Sequence, residues 1–217
     1  MNKFTKLFYI LFILLINSFA YAANSLNDQE FKKNYITDYK PININGTINT
    51  VIEIPAGTNE KWEILKPDGK LELKYKKGKP RIIKYLGYPG NYGMIPGTLL
   101  SKLTGGDGDP LDVFTIGAPV KRGTVVKSKL IGVLKFNDKG EKDDKLLAVL
   151  PGTAFYEVDN ITQLDESFPG VSLIIKTWLL YYKGSGKMVF KGFGSAKEAK
   201  RILNRAIQEY KDQQLED

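Results

Sequence analysis

Asp107, Asp109 and Asp112 fall within six positions of the stretch Gly106–Phe114, which reads GDGDPLDVF, and no basic residue lies between them. Gly106 and Gly108 open backbone angles closed to other residues, and Pro110 fixes one torsion. The segment therefore reads as a stiff turn that gathers anionic oxygens. Crowded carboxylates repel, and some would hold a proton unless a cation neutralises them. A hard divalent ion such as magnesium suits an all-oxygen donor set and keeps part of its water shell. The turn points to a metal cradle for chemistry on phosphate. Two plainer readings compete, the first being an ordinary surface turn of Asp and Gly. A calcium EF-hand fails on spacing, because positions five, six and twelve from Asp107 hold Leu111, Asp112 and Ala118.

Other stretches could take part. Asn137–Lys145, NDKGEKDDK, carries Asp138, Glu141, Asp143 and Asp144 ahead of Lys145, and alone it reads as a charged hairpin tip. Lys76–Arg81 is a basic run that alone reads as a solvated turn. Tyr85–Gly93 is an aromatic loop stiffened at Pro89, where Tyr88 and Tyr92 offer hydroxyls to an anion. Ring packing and base stacking are the alternatives for that loop.

The chain has no histidine and no cysteine. Imidazole bases, Ser-His-Asp triads, imidazole-built zinc sites, disulfides and lipidated cysteine are thereby excluded. Acid–base work falls to carboxylates, lysine, tyrosine or metal-bound water. The formal charge of +8 suits anionic partners without choosing among phosphates, nucleic acid and a membrane surface.

The elements that must position these groups are mostly short strands. Thr50–Ile54, Lys61–Leu65 and Leu71–Tyr75 alternate or run β-branched, and Val113–Ile116, Thr124–Phe136 and Leu146–Leu150 are β-rich runs bounded by Gly or Pro. Alternation places Glu53 opposite Ile52 and Ile54, where a solvent-facing charge is the default, and puts Lys61 and Glu63 on one face. Asn160–Glu166 reads as a short helix. Val171–Lys183 has a helical apolar stripe ended by Gly184-Ser185-Gly186, and Lys187–Phe193 is a last strand. Ser195 with Glu198 makes a capping box for a final helix to about Tyr210. The predicted fold class is α+β, mainly β: a small twisted closed β-barrel, OB-like, flanked by two C-terminal helices.

Lys3 and Lys6 precede the apolar run Leu7–Ile16, and Ala20-Tyr21-Ala22 has the form of a signal-peptidase site. Residues 1–22 read as a secretory signal cut after Ala22, residues 23–45 as an irregular lead-in, and residues 46–217 as a single domain. Removal of Lys3 and Lys6 leaves a charge of +6. Asn45-Gly46-Thr47 matches a glycosylation pattern and reads foremost as a turn. The expected location is periplasmic or secreted, without a stable membrane span once the signal is cut, an uncleaved anchor being the alternative.

Taken together, the motifs resemble soluble inorganic pyrophosphatases of family I in their short bacterial form. The resemblance rests on D-G-D-P-x-D at Asp107–Asp112, V-I-E-I-P at Val51–Pro55, K-W-E-I at Lys61–Ile64, Y-P-x-N-Y-G at Tyr88–Gly93, D-x-x-x-x-D-x-K at Asp138–Lys145, and Y-K at Tyr182–Lys183. It implies hydrolysis of diphosphate to two orthophosphates with several Mg²⁺ ions, Mn²⁺ or another divalent ion being possible. By the resemblance, Asp107, Asp112, Asp138, Asp143 and Glu53 would hold metal, Glu53 largely through water. Asp109 would take the proton of the attacking water, with Tyr92 and Lys183 also at the reacting atoms. Lys61, Arg81, Lys145, Lys183, Tyr92 and Tyr182 would hold the phosphates, while Glu63 and Tyr88 fix neighbours.

The same resemblance implies a homo-oligomer, a hexamer in bacterial members, and no nucleic-acid partner. Three features depart from it. Arg81 lies one residue closer to Tyr88 than in the bacterial pattern, histidine is missing where some members use it at subunit contacts, and the export signal is unusual. An exported, catalytically inactive anion-binding module of the same fold is the alternative reading.

Overall fold

The computed structural model describes residues 33–216. The expected secretory signal over 1–22 and the first part of the lead-in, residues 23–32, lie outside the described residues. The described residues form eleven strands: β1 (Ile48–Ile54), β2 (Trp62–Leu65), β3 (Lys70–Leu73), β4 (Tyr75–Lys76), β5 (Lys79–Pro80), β6 (Asn91–Met94), β7 (Asp112–Ile116), β8 (Val125–Asp138), β9 (Glu141–Lys142), β10 (Lys145–Val149) and β11 (Met188–Ser195). The helices are α1 (Ile161–Ser167), α2 (Val171–Tyr181) and α3 (Ala196–Glu216).

Five strands close a circuit. β1 pairs β6 and β8, β6 pairs β7, and β10 joins β7 to β8; every pairing is antiparallel except β7–β10. β11 adds to β8 outside the circuit. β8 serves so many partners because its ladders shift register, opposite Leu147/Ala148 in β10 and opposite Phe190/Gly192 in β11. Such irregularities bend a strand and raise its twist, which closure requires. At Gly93 in β6, an added Cβ would lie 1.7 Å from the Val51 carbonyl oxygen, so only glycine lets β6 approach β1 there. The result is the OB-like mainly-β architecture expected from the sequence.

Both faces of the ring are buried, which explains the unbroken apolar runs. Leu146 and Ala148 of β10, with Val113 and Val133, pack against Ala199, Leu203 and Ala206 of α3. Leu147 and Val149 join Phe114, Ile131 and Leu134 in the opposite cluster, which α1 and α2 cover with Leu164, Ile175, Trp178 and Leu179. Ile36 from the lead-in packs on Val51, Ile64 and Met94 and draws the described part of that segment over the ring.

Several boundaries differ from the sequence reading. The basic run Lys76–Arg81 carries the tight hairpin β4–β5, and the aromatic loop ends in β6, a fully buried strand. The Asn160 side chain caps α1 by accepting from Gln163 N at 2.9 Å. Ser195 Oγ accepts from Glu198 N at 3.2 Å, but the Glu198 carboxylate turns to Lys135 at 3.2 Å, so the capping box is one-sided. Asn45 lies in the turn expected there, its Oδ1 accepting from Thr47 Oγ1 at 2.7 Å.

Candidate active site

The acidic turn is held by its own backbone. Gly108 N donates to Leu100 O at 2.8 Å, Leu100 N to Asp109 O at 2.9 Å, and Asp109 N to Asp107 Oδ1 at 2.9 Å. Gly108 has φ +84°, the left-handed region that favours glycine. The turn therefore delivers Asp107, Asp109 and Asp112 to one wall of a cavity of about 440 Å³. The β8–β10 connection brings Asp138, Asp143 and Lys145 to the same cavity, and residues just past α2 bring Tyr182 and Lys183. Glu53 from β1, Tyr92 from β6, and Lys61, Glu63 and Arg81 also line it. Acids far apart in the chain thus face six cations, Lys66 and Lys74 among them, and two phenols.

Arg81 reaches the cavity despite its shortened loop. Its N–H donates to Lys74 O at 2.7 Å and its carbonyl accepts from Lys61 N at 2.9 Å, so the β4–β5 hairpin sets its place. Glu53 is only 5% exposed, contrary to the default expected of a strand charge, and accepts from Ile64 N at 2.8 Å. Burial pushes its carboxyl up to about 8; Lys61 pulls the other way, and Asp112 adds to the rise. Burial also raises Asp107 and lifts the Tyr92 phenol well above the ordinary tyrosine value.

The cations stay charged. Burial disfavours the Lys145 ammonium, but Asp112 and Asp143 outweigh it and hold its pKa above the ordinary value. Lys61 is raised in the same way, burial being outweighed by Tyr88, Glu53 and Glu63. Burial pushes Asp143 up, yet Lys145, Lys183 and Lys61 together hold it below the usual carboxylate range. Lys145 Nζ donates to both Asp112 and Asp143, and Lys183 Nζ donates to Asp138 Oδ2 at 2.7 Å. Glu63 accepts from Lys74 at 2.6 Å and stands 3.5 Å from Lys61. Tyr88 does not reach the cavity surface: it lies behind Tyr92, ring centroids 5.3 Å apart, and is 2% exposed.

Three neighbours escaped the sequence reading. Lys66 Nζ lies 2.9 Å from Asp109 Oδ1 and also bonds Gly108 O, straddling the cavity mouth. Lys74 holds Glu63, and Trp178 stacks on Tyr182 with centroids 4.5 Å apart. Only the last left a local signal, the i, i+4 spacing along a helix end.

A sequence model described as inorganic pyrophosphatase matches residues 50–211. The chain belongs to the inorganic pyrophosphatase family. Two bacterial inorganic pyrophosphatases illustrate the relation. That of Xylella fastidiosa is 35% identical over 176 residues, covering 78% of this chain and 93% of that protein. That of Campylobacter jejuni is 36% identical over 169 residues, covering 76% and 92%. Among solved structures, a Toxoplasma gondii type I inorganic pyrophosphatase superposes with TM-score 0.74 at 28% identity, covering 80% of this chain and 85% of that one. One from Neisseria gonorrhoeae gives 0.68 at 30% identity, covering 82% and 99%.

An inorganic pyrophosphatase implies divalent metal, and the donor chemistry here fits it. The candidate ligands are all carboxylate oxygens, the preference of magnesium. Asp138 Oδ1 is buried with no hydrogen-bond partner among the described residues, a lone pair suited to a cation. Among the described residues, however, no three carboxylates converge closely enough to share one ion. Lys145 and Lys183 stand among them as counter-charges, paired with Asp112, Asp143 and Asp138.

Proposed function

We propose that this chain hydrolyses inorganic diphosphate to two orthophosphates with Mg²⁺. The observation that carries the reading is the single cavity in which five candidate metal-binding carboxylates face Lys61, Arg81, Lys145 and Lys183. Family membership and the names of the relatives support it.

Asp107, Asp112, Asp138, Asp143 and Glu53 would hold the cations, which when bound supply charge neutralisation and water activation. The chain's other residues do the rest. Arg81 binds phosphate oxygens with two parallel donors, and the lysines act as compact charges. The Tyr92 phenol, kept protonated by burial, donates a hydrogen bond at neutral pH. Asp109, 65% exposed at the mouth, is free to turn inward and accept the proton of the attacking water. The transition state spreads charge over phosphoryl oxygens, so preorganised cations stabilise it more than the ground state.

A periplasmic or secreted location is part of this proposal and rests on the leader pattern at residues 1–22. Among the described residues, no helix is long and apolar enough to cross a membrane. Self-association, to a hexamer as the family resemblance implies, is supported by Leu173, Ile174 and Tyr181 of α2, each about half exposed. Phosphate release from diphosphate, triphosphate and nucleotide, each with and without Mg²⁺, tests the activity. Turnover is expected with diphosphate and Mg²⁺, and a folded chain inert to all three would leave an anion-binding module.

A further inference from the structure

A second cavity, of about 480 Å³, shares no residue with the first. Its walls include Lys135, Lys142, Asp144, Glu198, Arg201 and Arg205. Four cations against two acids leave an excess of positive charge. Lys135 is matched by Glu198 at 3.2 Å, and Arg205 stands 3.7 Å from Glu209 outside the cavity. Arg201 and Lys142 have no ion-pair partner among the described residues. A cavity with unmatched guanidinium and ammonium groups attracts a compact oxyanion, and arginine offers such an anion two parallel donors.

The backbone joins this cavity to the first. Along Glu141–Asp144 alternate residues face opposite ways, as in any extended segment. Glu141 and Asp143 line the first cavity, while Lys142 and Asp144 line the second. Lys142 N donates to Gly105 O at 2.9 Å, at the entrance to the acidic turn. Asp144 Oδ1 accepts from Phe136 N at 3.1 Å, and Asp143 N donates to Phe136 O at 3.0 Å. Lys142 therefore sits on a backbone that is bonded to the acidic turn and carries Asp143 as its next residue.

We propose that the second cavity is an effector site for a compact polyvalent oxyanion whose occupancy alters turnover in the first. Orthophosphate, which the reaction releases, is the member of that class the chain meets most directly; that identification rests on the proposed function. Arg201 and Lys142 form the site together with Lys135, and none of them lines the catalytic cavity.

Calorimetric titration of the full chain with inorganic phosphate, and separately with sulfate, tests it beside initial-rate kinetics. The wild type is expected to show two classes of phosphate site. Arg201→Ala should weaken one class about tenfold, the loss of one charge-assisted contact. Its rate without added phosphate should match the wild type, and phosphate should then inhibit it only competitively, whereas the wild type shows an added effect on kcat. Lys142→Gln carries the same test should Arg201→Ala fail to fold. One class of phosphate site in the wild type overturns the proposal, as do unchanged binding and inhibition in both variants. A chain inert to diphosphate that still loses one of two phosphate sites in Arg201→Ala refutes the proposed function and keeps the effector cavity. Turnover with a single phosphate site does the reverse.

Discussion

The indole of Trp178 lies flat on the phenol ring of Tyr182, centroids 4.5 Å apart and planes within 10°. Its N–H donates to Leu86 O at 2.8 Å, and the Tyr88 ring packs beside it with centroids 4.2 Å apart. One buried side chain thus ties the aromatic loop to the end of α2, where Tyr182 and Lys183 enter the catalytic cavity. Trp178→Leu should lose about 2–4 kcal/mol of stability and raise KM for diphosphate more than it lowers kcat. Trp178→Phe keeps a ring and loses the Leu86 bond, about 1 kcal/mol, with KM near wild type. Denaturant melts and steady-state kinetics check both; equal KM in the two variants would reduce Trp178 to a packing residue.

Burial of Glu53 sets a pH dependence for the cation-free protein. Its carboxyl titrates near 4.5 when exposed and near 8 in the fold. Between those values the folded chain keeps a proton that the unfolded chain has released. Stability should be greatest below that window and fall as pH rises through it, by an order of a few kcal/mol. Urea midpoints in EDTA between pH 5 and 8 should decline for the wild type and stay flatter in Glu53→Gln, which keeps an acceptor for Ile64 N. Mg²⁺, by favouring the ionised carboxylate, should flatten the wild-type curve.

Arg81 enters the cavity from a hairpin fixed by backbone bonds to Lys61 and Lys74. Arg81→Lys preserves charge but removes the paired donors, so KM should rise about tenfold with little change in melting temperature. An unchanged KM would mean that Arg81 lines the cavity without touching substrate.

The acidic turn was legible because its chemistry is local: two glycines, a proline and three acids within one short segment. The ring was legible from β-rich runs bounded by Gly and Pro, since both faces of β10 are buried. The strand β6 was not, because Asn91–Met94 has the composition of a loop and becomes a strand only by closing the ring. The salt bridge from Lys66 to Asp109 spans 43 positions and left no sequence signal. α3 runs past Tyr210 to Glu216 on polar residues and one exposed leucine, Leu215, with Gln208 Nε2 donating to Asp212 Oδ1 at 2.7 Å. Apolar periodicity cannot report a helix end of that kind.

The proposed export would leave a covalent mark. The mature chain isolated from a host with a signal peptidase should begin at Ala23, as read by intact mass or N-terminal sequencing. An intact Met1 on the purified protein would contradict the cleavable leader.

The most direct measurement is phosphate release from diphosphate by the mature chain with Mg²⁺, run beside Asp109→Asn. The wild type should turn over and lose activity in EDTA. Asp109→Asn should lose roughly 10²–10⁴-fold in kcat, while its melting temperature stays near wild type, because the carboxylate is exposed and its pair with Lys66 contributes little. A folded wild type that leaves diphosphate intact in excess Mg²⁺ would contradict the account, and full activity in Asp109→Asn would remove that residue from the chemistry.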